Sequence, residues 1–348
     1  MIEKSKMKKK DKSQSKSKKR KRQYGTQQKD NQETTMTTMT KKEKKEKKKR
    51  RHDEQSASSL PVAAALPAVA AAPAAVPAAG PAVTFDMQYI VAPMVGASEL
   101  PFRLLCRKYG AQLCYTPMML ASDFVRSATY RHQHFETNAL DRPLVCHFAA
   151  NSPKDFAAAA TLVAPYCDAV DLNLGCPQRT AYVGQFGSYL LDENNEDPTK
   201  RALVLAMIRA AVAAVQIPIF VKIRLLKSYA ATLQLCHELY TAGATAIAVH
   251  GRYRASYHRH GPGARDGPAL LEHIQHLRHD LFSPHTEAEA EAEAAGARRY
   301  PPNTKYLITN GNTITYDDVV ANLELTQADG LMVRVIITPD PSSLCLVV

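Results

Sequence analysis

The sequence predicts an α/β fold, a (β/α)8 TIM barrel beginning near residue 86, and three observations carry that prediction. Eight short apolar runs recur from residue 89 onward, helical stretches separate them, and the unusual polar residues fall at the C-terminal ends of the runs. Runs of four to six apolar residues bounded by Gly, Pro or polar positions are what fully buried parallel strands require. Strand–helix alternation repeated about eight times favours a closed barrel over a doubly wound sheet. The doubly wound alternative would want a GxGxxG after an early strand, and the chain has none there.

Taken in order, the runs are YIVAPM (89–94), QLCYTPM (112–118), PLVCHFA (143–149) and AVDLNLG (169–175). IPIFVKIRL (217–225), AIAVHGR (246–252), YLITNG (306–311) and GLMVRV (330–335) complete them. Between them, SELPFRLLCRKYG (98–110) reads as a helix ending on basic residues and a glycine stop. SPKDFAAAATLVAPY (152–166) opens with Ser–Pro as N-cap and first turn. DPTKRALVLAMIRAAVAAV (197–215) and ATLQLCHELYTAG (231–243) repeat apolar residues at helical spacing.

Two segments of different character precede the barrel. The first 54 of the 348 residues carry 22 of the 45 Lys and Arg and 8 of the 33 Asp and Glu, which leaves 23 basic against 25 acidic residues in the remainder. The net charge of +12 therefore sits in the tail. Residues 1–55 have almost no large apolar side chain and are expected to be disordered. They read as a polyanion-binding arm, a nuclear-import signal or a solvated charge run, and composition does not separate these. Residues 56–85 form an Ala/Pro-rich linker whose recurrent prolines would break a membrane helix, so a semi-rigid spacer is expected. With no signal peptide or mitochondrial presequence, the expectation is an intracellular chain, cytoplasmic and/or nuclear, with no membrane attachment. HTEAEAEAEAAGARRYPPN (285–303) is a low-complexity insertion before the seventh strand.

Seven cysteines (106, 114, 146, 167, 176, 236 and 345) are scattered, with no CxxC pair. An odd, unpatterned set excludes a disulfide framework and a zinc site as readings of Cys176 in DLNLGCPQR (171–179). Core filler and catalysis remain.

The strand ends bear Pro93 and Met94, His147, Asn173 and Cys176, Lys222 and Arg224, His250 and Arg252, and Asn310. Each alone has a bland reading as a satisfied core polar group. One at the mouth of nearly every strand marks a single site. Lys222 needs a negative or hydrogen-bonding partner inside the barrel. TNGN after the seventh strand can offer backbone N–H groups to a phosphate, so a ring-and-phosphate ligand, FMN, is expected.

The segments YIVAPMVGASELPFRLLCRKYGAQLCYTPMM, DRPLVCHFAAN, YCDAVDLNLGCPQR, VKIRL, TAGATAIAVHGR and ITNGN resemble the tRNA-dihydrouridine synthase family over about residues 86–333. Within it they are most similar to the eukaryotic branch that modifies positions 16 and 17 of the tRNA D-loop. The resemblance implies reduction of uridine with FMN as cofactor, NADPH as reductant and tRNA as partner; separately from it, a monomer is the expectation. It implies that Pro93, Met94 and Val95 line the flavin, and that Lys222 contacts its ring. His250 and the Asn310–Gly311–Asn312 loop would hold flavin and phosphate. Cys176 would be the catalytic acid, protonating C5 of the uracil as hydride reaches C6. Asn173, Arg224 and Arg252 are candidates for substrate contacts; for the arginines, rim ion pairing is the alternative.

Three departures accompany the resemblance. His147 stands where the family usually has a Gln on the flavin pyrimidine edge. The loop after the sixth strand and the 285–303 insertion are unlike the family. After strand eight the pattern has a Gly-containing turn, a closing helix and a helical RNA-binding domain, whereas GLMVRVIITPDPSSLCLVV has no glycine after Gly330. A barrel of residues 86–335, truncated after strand eight, with a divergent end at 336–348 and no RNA-binding domain, is the expectation. Two other functions remain open: an inactive tRNA-binding remnant, and a flavin barrel reducing a free pyrimidine.

Overall fold

The computed structural model describes residues 86–194, 196–255, 267–282 and 305–334. The basic tail, the Ala/Pro linker, the low-complexity insertion and the divergent end lie outside the described residues.

Strand β1 (Tyr89–Val91) is followed by α1 (Leu100–Lys108), β2 (Leu113–Tyr115) and β3 (Met119–Leu120). Helices α2 (Ala121–Arg126) and α3 (Ala128–His134) lead to β4 (Leu144–Ala149), α4 (Pro153–Val163) and β5 (Ala169–Leu174). Then come α5 (Arg179–Val183), α6 (Pro198–Ala214), β6 (Ile219–Leu225), α7 (Tyr229–Thr241) and β7 (Ala246–Tyr253). Helix α8 (Leu271–Phe282), β8 (Tyr306–Asn310), α9 (Tyr316–Thr326) and β9 (Gly330–Val333) complete the described order.

All strand pairings are parallel, and they run in a ring: β2–β1–β9–β8–β7–β6–β5–β4, closed by β4 on β2. Strands β2 and β3 both pair with β4, so they are two pieces of one stave and the barrel has the predicted eight. The expected single second strand is split at Thr116–Pro117–Met118, where the proline has no N–H for a ladder. The first strand is shorter than its apolar run. Ala92 still donates to the Val333 carbonyl at 2.9 Å, after which Pro93–Met94–Val95 leaves the sheet. Closure needs β9 only as far as Val333, which pairs with Val91.

The predicted helices start where their caps are. Ser152 accepts from the Asp155 N–H ahead of Pro153, and Asp197 accepts from the Thr199 and Lys200 N–H groups ahead of Pro198. Helix α1 ends on Arg107 and Lys108 with Gly110 following. Beneath it, Arg103 is fully buried and paired with Asp141 at 2.6 Å, with a further bond to the Ser98 carbonyl at 2.7 Å. That arrangement satisfies both buried charges.

Period-two alternation divides the strand residues between two cores. Leu144, Cys146 and Phe148, Val170 and Leu172, Val221 and Ile223, and Ile247 and Val249 face outward into the helical layer. Ile90, Leu113, Tyr115, Val145, Ala169, Phe220, Ala248, Ile308 and Met332 fill the barrel interior. The interior parity, continued toward the C-terminal ends, selects His147, Asp171 and Asn173, Lys222 and Arg224, His250, and Asn310. The polar site is the top layer of the barrel filling.

Candidate active site

That top layer opens into a cavity of about 450 Å³, within the range of small-molecule sites. Every residue singled out from the sequence lines it: Pro93, Met94, Val95, His147, Asn173, Cys176, Lys222, Arg224, His250, Arg252, Asn310, Gly311 and Asn312. Met118, Gln178, Thr313, Ile314 and Arg334 line it as well. Among the described residues no Asp or Glu lines it, whereas Lys222, Arg224, Arg252 and Arg334 bring four cationic side chains. Such a lining favours an anionic ligand.

The Cys176 loop is clamped from two sides. From below, the Asn173 Oδ1 accepts from the backbone N–H groups of Gly175 and Cys176, both at 2.9 Å. From outside, Ser188 donates its hydroxyl and its N–H to the Cys176 carbonyl at 2.9 and 3.1 Å. Gly187 makes this approach possible: its φ is +64°, and a Cβ there would sit 2.8 Å from the same carbonyl oxygen. Tyr189 completes the clamp through a 2.8 Å bond to the Pro177 carbonyl. Burial pushes the Cys176 thiol up, opposed by the Gln178 N–H and the Arg224 charge. A thiol shifted this way holds its proton to higher pH, which disfavours the nucleophilic thiolate.

On the floor, Lys222 donates to Asn310 Oδ1 at 2.9 Å, and Asn310 in turn donates to the Met332 carbonyl at 2.6 Å. The β9 carbonyl thus fixes which way the Asn310 amide points. Burial, helped by the Arg224 charge, lowers the Lys222 ammonium to about 8, and the Asp171 carboxylate partly offsets this. Beside it the His147 Nδ1 lies 2.6 Å from Asp171 Oδ2, both residues being buried. Burial raises the Asp171 carboxyl, with the His147 hydrogen bond and the Lys222 charge acting the other way.

The arginines proposed as substrate contacts have structural partners. Arg224 donates to the Gly175 carbonyl at 2.9 Å and the Tyr253 carbonyl at 3.1 Å, tying the Cys176 loop to the end of β7; these are backbone oxygens, not the carboxylates of a rim ion pair. Arg252 spans His250 Nε2 and Asn312 Oδ1, each at 2.9 Å, and also holds the Gly267 carbonyl. A guanidinium only donates, so His250 Nε2 is the acceptor in that contact. Asn312 is itself bonded to both the N–H and the carbonyl of Ala269. Gly311 has φ +129°, and a Cβ there would come within 2.6 Å of the Ala269 methyl.

Sequence reading missed Asp171, Ser188, Gly187 and Arg334. Asp171 was detectable, since it stands two residues before Asn173 in the same run and therefore shares its face. The Ser188 clamp had no such signal.

A family model described as dihydrouridine synthase matches residues 90–291. A Schizosaccharomyces pombe protein named tRNA-dihydrouridine(16/17) synthase [NAD(P)(+)] is 36% identical over 245 residues, 70% of this chain and 53% of that protein. A Rattus norvegicus tRNA-dihydrouridine(16/17) synthase [NAD(P)(+)]-like protein is 44% identical over 193 residues, 55% of this chain and 41% of its own. A Mus musculus tRNA-dihydrouridine(20a/20b) synthase [NAD(P)+]-like protein is 42% identical over 186 residues, 53% of this chain and 55% of its own. The chain spans about half the length of the curated relatives it matches.

Proposed function

The chain belongs to the dihydrouridine synthase family, and on that premise we propose that it is an NAD(P)H-dependent, flavin-containing reductase of tRNA uridines. The target proposed is the C5–C6 double bond of D-loop uridines at positions 16 and 17, on the greater extent of matching with relatives of that name. The observation that carries the reading is one cavity lined by both the Cys176 thiol and the buried Lys222 ammonium, with no carboxylate among its described lining residues.

The donor set fits FMN. Pro93, Met94 and Met332 offer an apolar wall to a flat ring, and Lys222, Asn310 and His147 offer polar atoms to its edge. The Gly311–Asn312 loop, with Arg252 and Arg334 beside it, suits an anionic terminus. When bound and reduced by NAD(P)H, FMN supplies the hydride that goes to C6 of the uracil. Cys176 Sγ gives its proton to C5, and its raised pKa keeps that proton available at neutral pH. Lys222 steadies the negative charge that develops in the ring systems beside it. The target uridine must enter unstacked, which a loop base does more readily than a helical one. The cationic rim and the basic tail would hold tRNA phosphates without reading sequence, in the cytoplasm, the nucleus or both.

Purified full-length protein should be yellow, or take up added FMN, and should form dihydrouridine in tRNA lacking it when NADPH is supplied. Mapping the product along the tRNA decides between positions 16/17 and 20a/20b. A colourless protein that takes up no FMN yet binds tRNA would replace this reading with that of a tRNA-binding remnant.

A further inference from the structure

We infer that Asp171 is a positioning residue that locks His147 in its Nδ1–H tautomer, leaving Nε2 as a lone acceptor toward the cavity, so that the site selects a ring presenting an N–H there. The ligand part of this inference rests on the cofactor reading above; the tautomer part does not.

The geometry starts from register. His147 and Asp171 are directly paired residues of neighbouring strands β4 and β5, both on the interior face. Their side chains meet at 2.6 Å, with exposures of 2% and 0%, so neither can turn to bulk solvent. An ionised carboxylate is an acceptor only, so the imidazole nitrogen facing it must carry the proton. In the neutral ring the second nitrogen is then an acceptor. His147 lines the cavity, and Nε2 is the polar atom it has left to offer.

Charge balance favours this state. The charged or titratable groups acting on the pair are Lys222 from β6 and Tyr115 from β2, whose ring also stands edge-on to His147 at 6.2 Å. One carboxylate, Asp171, offsets one ammonium, Lys222. With Lys222 as its counter-charge, Asp171 keeps the carboxylate that accepts from the ring. Asp171 Oδ1 has no hydrogen-bond partner among the described residues, so the carboxylate directs its bonding to the ring through Oδ2.

The consequence is a change in what the floor can read. An amide at this place can rotate to present either its oxygen or its NH2 group. An imidazole backed by a carboxylate cannot; it accepts, and the ligand must donate. A flavin offers its N3–H, and an N3-methylated flavin offers nothing.

The test uses the full chain with ring-15N-labelled histidine, the His147 signals being identified by their loss in His147→Gln. The wild type is expected to show a protonated Nδ1 and an unprotonated Nε2 at neutral pH, and Asp171→Asn to admit the Nε2–H form. An Nε2–H or doubly protonated ring in the wild type overturns the inference. Binding of FMN and of 3-methyl-FMN, followed by flavin fluorescence, then reads the consequence. Asp171→Asn should weaken FMN about tenfold when His147 is present, the scale of one lost hydrogen bond, and change it less than about twofold in the His147→Gln background. A merely structural Asp171 would cost the same in both, and equal losses overturn its positioning role. Wild type should bind 3-methyl-FMN at least about tenfold more weakly than FMN. Equal affinities overturn the selection. Absence of flavin binding in all variants would fall on the cofactor reading, while the nitrogen spectra still decide the tautomer.

Discussion

The two walls of the cavity use similar residue types to different ends. On the β4–β6 wall, His147, Asp171, Asn173 and Lys222 are set among strands, with Cys176 on the loop that follows β5, and burial moves the acidity of Asp171, Cys176 and Lys222. On the β7–β8 wall, His250, Arg252 and Asn312 bond to one another and to the Gly267 and Ala269 backbone nearer the solvent. The first wall controls where protons sit. The second controls the shape and charge of a rim. The difference is one of dielectric: the same hydrogen bond that tunes a group inside the barrel only orders it at the edge.

If that division holds, the largest effects come from the inner wall and fall on chemistry. Cys176→Ala should slow uridine reduction by about 10²-fold or more, as for loss of a general acid, while FMN affinity stays within about twofold. Single-turnover reduction of tRNA alongside flavin titration separates the two. An equal fall in both would make the thiol part of the floor, not a proton donor.

Lys222 comes next, and pH exposes it. Its cation is present below about 8 and lost above, so FMN affinity should decline as pH rises through that value. Lys222→Met should weaken FMN by about tenfold, the scale of a charge-assisted contact, and flatten the profile. The stability consequence has the opposite sense. Between about 8 and the ordinary lysine value of 10.5 the unfolded chain holds a proton that the folded one has released. Stability therefore gains from Lys222 as pH rises across that window, and the variant lacks the gain. A methionine variant with an unchanged pH profile would move Lys222 to the rim's category.

These residues were visible in the sequence because period two and strand-end position are local properties. The parity that buries Val145 and Phe220 also turns His147 and Lys222 inward, so a strand list is nearly a site list. What stayed hidden is what each group bonds to. Lys222 meets Asn310 across 88 positions, and Arg252 meets Asn312 across 60. Such pairs depend on how the closed barrel arranges its staves: Lys222 on β6 reaches past β7 to Asn310 on β8, and Arg252 on β7 reaches the loop after the neighbouring β8. For the same reason the bonds by which Asn173, Arg224 and Arg252 hold the loops around them were not legible in the sequence. The split of the second stave at Pro117 was legible in principle, since proline cannot feed a ladder, but the apolar run carried through it.

Asn173 tests the middle of the scale, because it acts on chemistry only through the Cys176 loop. Asn173→Ala strands two N–H groups, a cost of about 1–3 kcal/mol in stability. It should lower kcat about tenfold, on the sensitivity of turnover to a misplaced group, with little change in FMN affinity. A loss confined to affinity would put Asn173 in contact with the ligand after all.

The smallest effect should come from Arg252, and it distinguishes charge from shape. Its two Nη groups bridge His250 and Asn312 through a rigid planar fork that an ammonium lacks. If the outer wall works by shape, Arg252→Lys should weaken FMN about threefold, in free energy about half of one hydrogen bond's tenfold, and Arg252→Met should be no worse. If it works by charge, Lys should match the wild type while Met falls, and the fall should shrink with added salt. Two of the bonds Arg252 makes run to His250 Nε2 and Asn312 Oδ1, side chains of the rim itself, so loss of the fork is expected to act through shape. A salt-insensitive loss shared by Lys and Met would keep the two walls distinct; a salt-sensitive loss in Met alone would make the rim an electrostatic extension of Lys222.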